Sequence, residues 1–360
     1  MTDLPERVLS VREGKGYNAR IMNKNSAIVG AALLAALSSL ASPADKTDPR
    51  ETYSTDGWKL SWSEEFDKDG LPDEDVWKYE VGFVRNHEPQ YYTRAREENC
   101  RVKDGVLTIT ARRETWQNED FGKQKSGWKY GIKEAKYTSA DIVTKRTFLY
   151  GRIEIRAQLP NGQGAWPALW TLGDSLRKPK DDPDYWNWPC SGEMDIVEIW
   201  GNDPLRVAAC FHTSTDGYKK KANEHHKVVG GGDIHCKGAG ENPSEGFHTY
   251  TLDWYEDKVY IFYDGKRYGK CDLDRANWKD GSNPFRKPHF VLMNLALGGW
   301  GNPVYDVDTP EMREKKGPDG KPLKDADGNK IKEPTGRIIP AAKFPMEMKV
   351  DYVRYYEKAK

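Results

Sequence analysis

The stretch Gly192-Glu193-Met194-Asp195-Ile196-Val197-Glu198 sets three carboxylates among apolar residues. Ile196, Val197, Ile199 and Trp200 give it strand propensity. Side chains on a strand alternate between faces, so Glu193 and Asp195 share one face and Glu198 falls on the other. There it would enter the core, where an unpaired carboxylate is costly or titrates to neutral. A β-bulge near Ile196-Val197, with two residues opposing one, restores the phase. All three acids then face one side, and the residues between them largely face the core.

Three carboxylates on one face repel, which raises at least one pKa and divides the labour. One end acid stays ionised and attacks; the other keeps a proton and donates it. Glycosidases that retain configuration use two carboxyls about 5–5.5 Å apart. The end backbones here lie about 13 Å apart along a regular strand, a gap that two Glu side chains leaning inward over a concave sheet can close. Asp195, shorter and central, is placed to steady the nucleophile. Spacing alone leaves open which Glu plays which part, and the same acids would also suit Ca²⁺ ligation or an exposed strand.

The rest of the chain narrows the class. Lys plus Arg and Asp plus Glu number 56 each, so no strong field favours nucleic acid or an anionic membrane, and a neutral substrate fits best. Thirteen Trp and nineteen Tyr offer flat faces for sugar C–H groups. From Trp58 onward the pattern has period two. Val106 to Arg112, Gly151 to Leu159, Tyr250 to Trp254 with Val259 to Tyr263, His289 to Leu297 and Met348 to Tyr356 read as strands. This is an all-β sandwich or barrel in one domain over residues 50–360.

Residues 22–44 read as a secretory signal peptide: Lys24, an apolar run from Ile28 to Leu40, then Ala41-Ser42-Pro43-Ala44. The run is too short for a comfortable membrane span. Translation from Met22 would make residues 1–21 an upstream extension. The expected location is therefore secreted or periplasmic, with no stable membrane anchor and a monomeric state. Five Cys permit at most two disulfides in an exported chain, and their spacing is not that of a zinc or thiol-redox motif. Lys178 to Tyr185, Asp216 to Glu245 and Glu311 to Gly336 read as insertions. His225, His226, His235 and Cys236 in the second are a conceivable metal cluster, but scattered surface residues are the expectation. Asp325 to Asn329 has part of a calcium-loop pattern without its closing Glu.

At residues 192–198 the chain resembles glycoside hydrolase family 16 in its bulged form, typical of laminarinases, agarases and carrageenases. Further blocks agree in family order: Trp62 to Phe66, Asn86 to Thr93, Tyr150 to Ala157, Gly164 to Trp170, Trp188-Pro189, Phe247 to Tyr250, Asn294 to Gly299 and Val350 to Arg354. The resemblance implies a β-jelly roll of two curved antiparallel sheets (concanavalin A-like) with an open cleft on the concave face. It implies Glu193 as nucleophile, Asp195 as its assistant and Glu198 as acid/base, with no cofactor for catalysis. It places His212 beside the acid/base, Trp166, Trp170, Trp188 and Trp300 along the cleft, and Asn86 and Glu88 on sugar hydroxyls. A structural calcium on the convex side would use Asp351, with Glu65 as a further ligand.

The implied function is a secreted retaining endo-glycosidase that cuts β-1,3 or mixed β-1,3-1,4 glucan. The chain departs from the laminarinase pattern at Cys190-Ser191, and Arg85 beside Asn86 suits an anionic sugar, which keeps an endo-hydrolase of marine galactans (agar, porphyran or carrageenan) open. A lectin-like binding protein on the same fold is the alternative of another class; the retained set of three acids argues against it.

Overall fold

The computed structural model describes residues 48–359 apart from 202, 216–225, 238–239, 299–303, 307–311, 319, 326–327, 335–336 and 340–343. The chain divides into two units, Met1–Lys46 and Thr47–Lys360; the signal-peptide and upstream segments read above lie outside the described residues, as do His225 and Trp300.

The larger unit is a β-jelly roll. One run of antiparallel strands follows the spatial order Trp77–Tyr79, Asp141–Thr144, His289–Leu297, Ala165–Gly173, Glu193–Glu198, Arg206–Ser214 and His226–His235. A second run follows Trp58–Glu64, Met346–Lys358, Gly151–Gln158, His248–Trp254, Lys258–Tyr263 and Lys266–Asp272. The runs join where Gly231 pairs with Lys270. Met194, Ile196 and Val197 from the first share one buried apolar cluster with Ile153, Ile155, Leu252 and Ile261 from the second.

The strands read from alternation are all present, mostly longer by one to a few residues at their ends. The segment 216–245 is different. Rather than a solvated excursion it contains a full strand, His226–His235, paired along the whole of Arg206–Ser214. Its Gly230-Gly231-Gly232 hides the period-two signal. Those glycines are demanded by crowding: a Cβ at Gly231 would sit 2.4 Å from the Ala209 carbonyl oxygen, and one at Gly232 2.0 Å from that of Tyr268. His226 and His235 fall at opposite ends of that ten-residue strand, so they do not gather with Cys236 around a metal. Within 311–336, Met312–Glu314 pairs with Lys332–Pro334, and the Asp325 carboxylate accepts from the Asn329 amide in a turn.

The carboxylates read as calcium ligands are both engaged by arginines. Glu65 takes Nε and Nη2 of Arg354 at 2.9 and 2.8 Å, and Asp351 takes Nη1 of Arg156. Calcium seeks six to eight oxygen ligands; two side chains already bound to guanidinium groups do not fit that cage. All five cysteines are free thiols.

Across the second run, Arg152 and Asp253 sit directly opposite each other. They form a bidentate pair at 2.6 and 2.8 Å, each side chain 3% exposed. Tyr53 and Trp58 flank the guanidinium at 4.5 and 4.8 Å. Removing one partner of such a pair strands a buried charge. We expect Asp253→Ala to cost about 3–5 kcal/mol by denaturant unfolding; a change below about 0.5 kcal/mol would show that the pair is not needed to hold these strands.

Candidate active site

The register around Glu193–Glu198 contains the expected bulge. Against Ala165–Gly173, Asp195 faces Trp170 but Val197 faces Leu169, so one residue is skipped. Against Arg206–Ser214, the register shifts between Asp195 and Glu198. The bulge frees the Ile196 carbonyl from the ladder, and the Tyr268 hydroxyl, from the second run of strands, donates to it. Met194, Ile196 and Val197 are fully buried. Glu193, Asp195 and Glu198 all line one cavity of about 890 Å³ together with Asn86, Glu88, Trp166, Trp170 and Trp188.

Each end acid is held by an indole. Trp188 Nε1 donates to Glu193 Oε2 at 2.9 Å, and Trp166 Nε1 donates to Glu198 Oε1 at 2.9 Å. His212 sits opposite Glu193 in the ladder, its Nε2 3.8 Å from Glu193 Oε1 and 3.2 Å from Asp195 Oδ2. His226 holds the other ring nitrogen of His212 at 2.7 Å. Trp170 differs from Trp166 in its environment. It is 6% exposed, its Nε1 donates to Asn294 Oδ1 at 2.7 Å, and the Arg85 guanidinium lies 4.9 Å over its ring.

Burial dominates the electrostatics. It pushes Glu198 up to about 7, with the charge of Glu193 adding and the Trp166 N–H opposing. Burial also raises Glu193, opposed by His212 and the Trp188 N–H. Asp195 is raised furthest, by burial and then by the charges of Glu193 and Glu198 on either side. For His212, burial alone would favour the neutral ring, but Cys210 and the carboxylates around it lift it to about 9.

Glu88 is buried under a polar net. Asn86 Nδ2 and Gln90 Nε2 donate to it at 3.1 and 2.8 Å, and burial raises its pKa. Arg85, read from the sequence as an anion binder, is instead neutralised. It pairs with Asp141 at 2.9 Å and with Glu80. The sequence reading missed Glu80 and Asp141, and it set His226 in a conceivable surface metal cluster rather than in the cleft beside His212. Asp141, an acid opening the apolar run Asp141–Thr144, fully buried throughout, was the legible signal; Glu80 and His226 carry none.

Paired buried carboxyls beneath indoles, in an open cleft of about this size, are equipment for cutting glycosidic bonds. The comparisons agree. The family model "Glycosyl hydrolases family 16" matches residues 87–315. The chain is 39% identical to a beta-glucanase of Rhodothermus marinus, over 68% of this chain and 77% of the relative. It is 34% identical to a glucan endo-1,3-beta-glucosidase of Cryptopygus antarcticus, over 67% and 81%. It also superimposes on a solved structure from work on endo-acting O-glycanases that members of the human gut microbiota express to initiate mucin breakdown. There the TM-score is 0.64 and the identity 31%, over 85% of this chain and 93% of that one. The chain belongs to glycoside hydrolase family 16.

If the bulge is held from the second run of strands, Tyr268→Phe leaves the Ile196 carbonyl buried without its donor. The expected cost is about 1–3 kcal/mol of stability, with a fall in turnover. Unchanged stability and turnover would show that the hydroxyl does not hold the bulge.

Proposed function

We propose that the chain is a retaining endo-β-glucanase acting on β-1,3 linkages of a neutral glucan, with mixed-linkage glucan as a second substrate. Glu193 is the nucleophile, Glu198 the acid/base, and Asp195 the assistant. The observation that carries this reading is the pair of end acids on one cleft face, one of them lifted to about 7. An acid with that pKa is protonated for the first step and regenerated as a base for the second.

In the first step the Glu193 carboxylate attacks the anomeric carbon. The glycosidic C–O bond breaks and Glu198 gives its proton to the departing oxygen. Water then attacks the same carbon, Glu198 takes a proton from it, the ester bond to Glu193 breaks, and the β configuration is kept. Asp195, with its pKa raised well above the usual range, remains protonated and is a hydrogen-bond donor for the nucleophile. Trp166 and Trp188 offer stacking faces, while their indole N–H groups hold the two acids.

Cleft charge favours a neutral substrate. Among the described residues, Glu80, Glu88, Glu193, Asp195 and Glu198 line the cavity with one arginine, Arg85, which is already paired. A sulfated galactan finds no uncompensated arginine or lysine among those described lining residues. The β-1,3 preference draws on the printed activity of the relative from Cryptopygus antarcticus. A second reading, cleavage within an O-glycan, draws on the gut-microbiota structure. Incubation with laminarin, lichenan, agarose, carrageenan and mucin O-glycans, followed by reducing-end analysis, separates them. Release from laminarin supports the first reading; release only from galactans or O-glycans refutes it. Export is part of the proposal, supported by the apolar run ahead of Ala41-Ser42-Pro43-Ala44; a product that stays in the cell with residues 22–44 uncleaved would refute it, and a mature product that keeps Met1 would refute translation from Met22.

Two kinetic outcomes follow for the acids. Glu193→Ala should lose nearly all turnover and regain part of it with azide, giving a glycosyl azide of inverted configuration; a retained azide would exchange the roles of Glu193 and Glu198. On the alkaline side, kcat/KM should fall as pH rises through about 7, where Glu198 loses the proton it must donate. A flat profile from pH about 6 to 9 would remove Glu198 as the acid.

A further inference from the structure

We propose that Cys210, His212 and Asp195 form a binding site for one thiophilic divalent cation, with Zn²⁺ the best match, and that filling it shuts down hydrolysis. Among the described residues, these three bring a thiol sulfur, an imidazole nitrogen and a carboxylate oxygen within 4.8 Å of one another. Bonds of about 2.0–2.3 Å to one tetrahedral ion put ligand atoms roughly 3.3–3.8 Å apart, so the three draw in by up to about 1 Å to share it. The order of the ladder produces the cluster. Asp195 pairs with Cys210 across the strands, and His212 lies two residues further along the same face.

Three independent observations point to a ligand. Asp195 is 3% exposed, and its Oδ2 accepts no hydrogen bond; the His212 Nε2 lies 3.2 Å away without the alignment of one. A buried carboxyl oxygen with no hydrogen-bond partner carries a desolvation cost that ligation to a cation removes. Next, His212 is already supported as metal-bound histidines are. Its Nδ1 is held by His226 at 2.7 Å, which orients the ring and leaves Nε2 for an ion. Finally, Cys210 is uncovered. The residue opposite it on the neighbouring strand is Gly231, where a side chain would collide with the Ala209 carbonyl. Cys210 is half-buried, while the other four cysteines are buried.

Sulfur, nitrogen and one oxygen make a donor set for zinc rather than for calcium or magnesium. On binding, the Cys210 thiol, the Asp195 carboxyl and the His212 Nε2 each give a proton to solvent, and the freed lone pairs take the ion, with no change of oxidation state. Glu193 Oε1, 3.8 Å from His212 Nε2, lies within reach of the remaining position. Ligation draws Asp195 away from the nucleophile and sets a dication beside it. The inhibitory arm therefore rests on the roles proposed above; the binding arm does not.

The test uses the full chain. Titration with Co²⁺ alone should give a thiolate-to-cobalt charge-transfer band that saturates at one ion per chain and is absent from Cys210→Ala. Zn²⁺ alone should inhibit laminarin hydrolysis reversibly, with EDTA restoring activity. Cys210→Ala, measured against its own zinc-free rate, should need at least about tenfold more Zn²⁺ for half-inhibition, the scale of losing one strong ligand interaction. No cobalt–thiolate band in the wild-type protein, or the same band in Cys210→Ala, overturns the site. A band with no loss of hydrolysis keeps the site and overturns its link to catalysis. If laminarin is not cleaved at all, the proposed activity fails, and the cobalt spectrum still decides the site.

Discussion

The skipped residue at Ile196-Val197 is the constraint on which the rest of the structure depends. Without it, a strand carrying Glu193, Asp195 and Glu198 would drive one carboxylate into the apolar interior. With it, Met194, Ile196 and Val197 all stay in the core and every acid reaches the cleft. A bulge leaves one backbone group outside the ladder. Here that carbonyl belongs to Ile196, and Tyr268 reaches it from the other run of strands. The phase of the catalytic strand is thus tied to the packing of the whole sandwich rather than to local sequence alone.

Burial does most of the electrostatic work. A low-dielectric wall raises all three pKa values, and like charge adds to the rise at Asp195 and Glu198, because each acid has a different neighbour. Glu193 has His212 and an indole N–H in its favour; Asp195 is raised by burial and then by its two acidic flanks. That inequality is what allows one site to hold both an attacker and a proton donor. The surrounding net extends the pattern. Glu88 is satisfied by Asn86 and Gln90, Trp170 is fixed by Asn294, and Arg85 spends its charge on Asp141 and Glu80. The result is an acidic cleft with no free cation among its described lining residues, suited to sugar hydroxyls.

Much of this was legible before any coordinates. Alternation located strands with one wetter face, such as Val106–Gln117 and Met346–Lys358, strand-forming apolar residues located those buried on both faces, such as His289–Leu297, and the odd offset of Glu198 demanded a bulge on energetic grounds alone. The misses have physical causes. The strand at His226–His235 was invisible because glycines forced by backbone crowding carry no alternation. Arg85 looked like an anion receptor because its partners, Glu80 and Asp141, are five and 56 positions away, and sequence does not display such pairing. Asp351 and Glu65 came in as calcium ligands through the family resemblance, and their pairing with Arg156 and Arg354, from segments distant in sequence, is not displayed by the sequence either.

The central claim is that Glu193 forms the bond to the sugar. The most direct measurement is covalent trapping with a 2-deoxy-2-fluoro-β-glucan fluoride, followed by mass analysis of the peptides. The account predicts one fluorosugar per chain, attached to Glu193. A label on Glu198, or hydrolysis that proceeds with inversion and leaves no label, would contradict it.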